Sequence, residues 1–161
     1  MSVSTHVLDA VAGRPAAGIA VRLLAGDDVV AEGVTDADTL VRRAGEVARS
    51  LPWDEVSLAL AAHPRIGDRV EGSSAEARAS RREQGSMGGA DDGTRAAIVE
   101  GNRAYEERFG HVYLIRASGR SPAEMLAELR RRLDDDEDAE HAEVVEQLAQ
   151  ITELRVRALV S

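Results

Sequence analysis

One Trp, two Tyr and one Phe are the only aromatic residues in a chain of 161, although 43% of it is hydrophobic. A core must therefore be assembled from Ala, Leu, Val and Ile, without the large area that aromatic rings bring. That composition favours packed helices over a sheet. At 161 residues the chain is long enough for one domain with a buried core.

The pattern of apolar residues changes once along the chain. Residues 1–35 read as β structure, with a strand over Thr5–Asp9 and a turn at Gly13-Arg14-Pro15. A second strand is expected over Gly18–Leu24 and a third over Val29–Val34. From Asp36 onward the texture is helical. Asp36 is a good N-cap for a helix to about Ser50, with Leu40, Val41, Ala44, Val47 and Ala48 on one stripe. Pro52-Trp53-Asp54-Glu55 opens a second helix carrying Val56, Leu58, Leu60 and Ala61. It stops at His63, because Pro64 pushes the preceding residue out of the α region.

Ser74–Ser86 reads as a polar helix running into the Gly-rich stretch Gly85–Gly89. A long helix follows from about Asp91 to Arg108 and ends at Gly110. His111–Ala117 is short, apolar and expected to be extended. Ser121-Pro122-Ala123-Glu124 is a capping box with Pro at the first helical position, starting a helix to near Leu133. Asp134–Asp138 is an acidic connector. The last helix carries Val144, Leu148, Ile151, Leu154, Ala158 and Leu159 at helical spacing. No internal repeat is visible.

Composition also limits the chemistry. There is no Cys and no Lys, so all 20 basic residues are Arg, and thiolate and Schiff-base chemistry are excluded. The groups left are His, carboxylate, hydroxyl and guanidinium. A formal charge of −9 argues against a nucleic-acid partner. No apolar run reaches the roughly 18 residues of a membrane span, and the N-terminus lacks a secretory signal pattern. With no cysteine, a cytoplasmic location is expected.

Among four histidines, His63 has the most constrained setting. An imidazole at a helix end titrates near neutrality and suits acid–base work. It equally suits a structural place at a helix C-terminus, where its cation favours the dipole. Ser80 and Glu83 share a helix face, with Gln84 beside them; the plain alternative is a solvated polar helix. No metal site is expected, since His111 and His141 are isolated in sequence and His141 lies in a solvent-facing acidic run. Gly85–Gly93 lacks the preceding strand and the lysine of a phosphate loop.

These residues nonetheless resemble a known family. His63-Pro64-Arg65-Ile66-Gly67, then Ser80-x-x-Glu83-Gln84, then Asn102-x-x-Tyr105-x-x-x-Phe109-Gly110, and finally Ile151-x-x-Leu154-Arg155 are similar to 2-oxo-4-hydroxy-4-carboxy-5-ureidoimidazoline (OHCU) decarboxylase, from about residue 36 to 160. The resemblance implies a mainly α fold, a helical bundle, and cofactor-independent decarboxylation in urate breakdown that yields (S)-allantoin. It also implies a homodimer acting on a small molecule. Carried over by motif, His63 is the catalytic acid, with Glu83 in the catalytic pair. Pro64, Ser80, Glu83 and Gln84 contact substrate, the stretch from Ile115 to Gly119 meets it through the backbone, and Arg155 grips it.

The N-terminal segment carries a second resemblance. Ser4–Asp9, Gly13–Gly18 and Gly33–Asp38 are similar to the start of 5-hydroxyisourate hydrolase, a transthyretin-like fold, with His6 at one of its histidine positions. The similarity ends near Asp38, before that enzyme's other catalytic groups. The expected organisation is a partial transthyretin-like β segment over 1–35 and a decarboxylase-like helical domain over 36–161, each truncated where they meet. Two other functions stay open on sequence alone: a helical domain that only binds a purine-derived ligand or a partner, and residual hydroxyisourate hydrolysis.

Overall fold

Asp36 begins the helical body as its cap: its carboxylate accepts the Asp38 and Thr39 amides at 2.8 and 3.2 Å. The computed structural model describes residues 8–9, 14–15, 18, 20–25, 28–34, 36–68 and 75–160. Ahead of Asp36 lie two antiparallel pairs. β1 (Leu8–Asp9) pairs with β2 (Arg14–Pro15), and β3 (Ala20–Ala25) pairs with β4 (Asp28–Val34) with a register shift between Leu23 and Leu24. Arg14 and Pro15 were expected in a turn; they are instead strand residues opposite Asp9 and Leu8. β2 lies against the last helix. Residues 5–7, including His6, lie outside the described residues.

Six helices follow among the described residues: α1 (Ala37–Arg49), α2 (Trp53–Ala61), α3 (Ala75–Glu83), α4 (Asp92–Phe109), α5 (Pro122–Arg132) and α6 (Glu137–Val160), with a 3-10 turn over Gly85–Gly89. Local signals set most of their ends. Asp91 caps α4 through the Thr94 amide, and Gly110 closes it at φ 75°. The Ser121–Glu124 box is formed in both directions.

The expected stripe on α1 is only half right. Val41, Gly45 and Ala48 are buried, whereas Leu40 and Val47 are 39% and 57% exposed. The cause is the approach of α1 to α6. A Cβ on Gly45 would fall 1.8 Å from Glu153 Oε1, so the glycine edge turns inward and the bulky edge turns out. Arg49 then bridges to Glu146 and Glu153 of α6 at 2.8 and 2.9 Å. Leu58 likewise leaves the core, at 75% exposed, because α2 buries Val56 and Leu60.

Two apolar clusters result. Ile98 and Tyr105 of α4 pack with Met125 and Leu129 of α5, Ile66 and Met87. Val56 and Leu60 of α2 pack with Val144, Leu148 and Ile151 of α6. Residues 113–117 run between them: Tyr113, Ile115 and Ala117 belong to the first cluster and Leu114 to the second. That alternation is the period of an extended chain, as expected for this stretch.

A buried charged cluster ties the same region together. Arg132 and Glu140, both fully buried, form an ion pair. Tyr105 donates to Glu140, and Arg132 Nη1 donates to the Leu114 carbonyl at 2.8 Å. Sequence had placed Asp134–Asp138 in an acidic connector; α6 already begins at Glu137, and Glu140, just beyond that run, is drawn inside.

His111 and His141 are not isolated. Both rings meet Trp53: His141 stacks on it at 3.6 Å between centroids and His111 meets its edge at 5.4 Å. His141 is therefore half-buried rather than solvent-facing, because α6 docks that face onto the start of α2. Burial pushes the His111 pKa below its ordinary value. The unfolded chain then takes up a proton near pH 6.5 while the native state resists it, so stability should fall as pH drops through that value. Urea unfolding at pH 7.5 and pH 5.5 checks this. His111→Leu should reduce the loss, and an unchanged pH slope in that variant would contradict the assignment.

Candidate active site

His63 follows Ala62, the C-cap of α2, with Pro64 after it. Its Nδ1 donates to the Ala59 carbonyl at 2.7 Å, one of the last carbonyls of that helix. With Nδ1 committed to a donor, Nε2 is the nitrogen left to exchange a proton. That nitrogen is buried.

The loop after His63 is clamped from two sides. Gln84 Oε1 accepts the Gly67 amide at 3.1 Å and Gln84 Nε2 donates to the Arg65 carbonyl at 3.3 Å. Asn102, buried on α4, donates Nδ2 to the Ile66 carbonyl at 2.9 Å. Gly67 sits at φ 89°, a conformation that favours glycine. Arg65 closes the outer side by a two-point ion pair to Glu106, Nη2 to Oε2 at 2.8 Å. The guanidinium holds the Glu106 carboxyl below the usual carboxylate range. Thus the motifs at 63–67, 84 and 102 build one rigid loop.

His63, Pro64, Ser80, Gln84 and Ile115 line one narrow cavity of about 20 Å³, together with Ile66, Tyr113, Leu114, Ala117 and Ile151. Its volume is about that needed for the centre of a single water. Arg155 reaches the same place from α6: its Nη2 lies 3.4 Å from Ser80 Oγ, and Ser80 is only 5% exposed. Gly119 does not line the cavity; it is exposed, in a turn at φ 82°. Glu83 ends α3, but its side chain lies outside the described residues.

Ala117 lies within the Ile115–Gly119 stretch that the sequence pointed to, but sequence reasoning missed Ile66, Tyr113, Leu114 and Ile151 as cavity residues. Ile151 carried a signal, since it lies four residues before Arg155 and shares its helix face. Ile66 carried one too, standing inside the 63–67 motif, whereas Tyr113 and Leu114 carried none beyond their hydrophobicity.

Arg155 and Arg157 separate clearly. Arg157 Nη1 pairs with Asp38 Oδ1 at 2.8 Å, and both side chains are more than half exposed. Such pairs contribute little. Among the described residues no group of three potential metal ligands is found, and no helix is long and apolar enough to cross a membrane.

The family model for OHCU decarboxylase matches residues 6–157. That span takes in most of the N-terminal segment that sequence set apart. An OHCU decarboxylase solved in the presence of (S)-allantoin has the same fold, with a TM-score of 0.67 and 26% identity over 79% of this chain and 83% of that one. An (S)-allantoin synthase structure matches at a TM-score of 0.58 and 16% identity, over 80% of this chain and 40% of that one, a likeness of fold alone. No curated protein sequence matches. The helical bundle, the motif order and a family match over nearly the whole length agree: this chain belongs to the OHCU decarboxylase family.

Proposed function

We propose that the cavity beside His63 carries out the family's reaction, decarboxylation of 2-oxo-4-hydroxy-4-carboxy-5-ureidoimidazoline to (S)-allantoin, with His63 as the proton donor. The observation that carries this is the convergence of His63, Pro64, Ser80, Gln84 and Ile115 on one cavity, with Arg155 joined to it through Ser80.

The chemistry fits those groups. The bond to the carboxylate carbon breaks, carbon dioxide leaves, and the electron pair passes into the imidazolone ring. The ring supplies its own electron sink, so the reaction needs neither cofactor nor metal. The 4-hydroxyl gives up its proton as its oxygen becomes the product's carbonyl, and Nε2 of His63 delivers a proton to one face of the neighbouring ureido-bearing carbon, which fixes the configuration of the product. The planar fork of Arg155 holds a substrate oxygen at two points. Glu83 and Gln84 recognise the ureido group. Gln84 spends one donor and one acceptor on the loop and keeps a second of each for substrate.

Freshly generated substrate tests the proposal: optically active allantoin should appear faster than in the spontaneous reaction. Racemic product at the spontaneous rate would refute it. Arg155→Lys should raise KM by about tenfold or more, because a point charge cannot replace the fork. Arg157→Lys should leave KM nearly unchanged. Reversal of the two effects would mean that the other arginine faces the substrate.

The finer organisation belongs to the same proposal. The protein acts as a homodimer in the cytoplasm. The exposed Leu40 and Val47 on α1 supply apolar surface consistent with self-association, and the absence of cysteine suits a reducing compartment. Residues 1–35 form a separate β segment of transthyretin-like origin, supported by the change from hairpin to helix at Asp36.

A further inference from the structure

Three residues of α6 stand four apart along the cavity: Gln147, Ile151 and Arg155. Ile151 lines it and Arg155 reaches Ser80. Gln147 does not line the cavity. Its Oε1 accepts the main-chain amide of Arg116 at 2.8 Å, between the cavity residues Ile115 and Ala117. Its Nε2 donates to Glu143 Oε1 at 2.7 Å, one turn back on α6. A carboxylate only accepts, so this second bond fixes which end of the amide faces Arg116. Gln147 is only 3% exposed, and a buried amide held at both ends does not drift. Two residues before Arg116, Arg132 holds the Leu114 carbonyl at 2.8 Å.

We propose that Gln147 is a positioning residue of this active site: through the Arg116 amide it sets the 115–117 wall against which the substrate lies, with Glu143 holding its amide in the working orientation. The wall has neither helix nor strand to hold it, so its register comes from these side chains. Because Gln147 and Arg155 share α6, the helix carries the substrate's grip and its backing wall as one rigid part. This rests on the cavity being the decarboxylase site.

The test compares Gln147→Leu, which removes the acceptor at similar size, with the exchanged pair Gln147→Glu/Glu143→Gln. The exchange puts a carboxylate against the Arg116 amide and lets the new glutamine donate to it, so both hydrogen bonds return. Gln147→Leu should raise KM about tenfold with kcat changed less than about threefold, measured well below its melting temperature. The exchanged pair should return KM to within about threefold of the parent. A parent-like KM in folded Gln147→Leu overturns the proposal, as does an exchanged pair as impaired as the leucine variant.

If Gln147→Leu does not fold, Glu143→Ala decides the matter at a more exposed position. It should raise KM about threefold by freeing the amide to turn, and an unchanged KM overturns the proposal. His63→Ala, assayed alongside, separates the two levels. Full activity there defeats the assignment of the site, whereas loss there with normal Gln147 and Glu143 variants defeats only the positioning role.

Discussion

Replacing His63 by Ala should lower decarboxylation by roughly 10²–10⁴-fold, the usual cost of losing a general acid or base. Melting temperature should change little. His63 follows the last turn of α2, and the bond it loses goes to Ala59, at a helix end where water can take over. His63→Asn sharpens the test. Its amide can still donate to the Ala59 carbonyl, but it cannot carry a proton to substrate. Equal loss in both variants assigns the effect to proton transfer rather than to loop position. The measurement is initial formation of optically active allantoin at saturating substrate. Near-normal turnover in either variant would remove His63 from the mechanism.

The second large effect concerns stability. Glu140→Leu should destabilise the fold by about 3–5 kcal/mol, because Arg132 would keep a buried charge without its partner. For a chain of 161 residues this corresponds to a fall of very roughly 6–20 °C in melting temperature. The loss is aggravated by Tyr105, whose hydroxyl donates to Glu140 and would also be stranded. Arg132→Met/Glu140→Leu should recover most of the stability, since an apolar pair of similar volume replaces both charges. It should still show impaired substrate binding, because the Leu114 carbonyl loses its donor. Thermal and urea unfolding of the single and double variants provide the cycle. A Glu140→Leu protein within about 1 kcal/mol of the parent would show that the ion pair is not holding the core.

These two expectations differ in how visible they were. His63 stands in a five-residue motif, and its setting follows from Pro64 and the end of α2. Arg132 and Glu140 sit in charge-rich runs, Arg130-Arg131-Arg132 and Asp134–Asp138 with Glu140 beyond, where any member could have faced water. Charge patterning identifies such runs but not the one member that is taken inside. The folded chain selects Arg132 and Glu140 because α5 and α6 meet across the Leu114 carbonyl and the Tyr105 hydroxyl, which need polar partners once buried.

Local chemistry was enough for the helices and most of their ends. Asp36, Asp91 and the Ser121–Glu124 box act within three residues of themselves, and Gly110 acts on the turn it closes. The core, expected to be built from Ala, Leu, Val and Ile, also takes in Tyr105 and Tyr113, which, few as they are, pack at its centre. The switch from hairpins to helices at Asp36 and the motif at 63–67 are properties of neighbouring residues, so the sequence alone determined them. What it did not determine depends on partners far along the chain. Gly45 turns α1 toward α6 and leaves Leu40 and Val47 outside. Arg155 meets Ser80 across 75 positions, Gln147 meets Arg116 across 31, and Arg157 turns to Asp38 across 119. Two arginines two residues apart point to nearly opposite sides of a helix, so spacing cannot choose between them. Only the docking of α6 against α1, α3 and the 113–117 wall assigned one arginine to the cavity and the other to the surface, because burial and pairing are decided by what lies across the interface rather than by the neighbours in sequence.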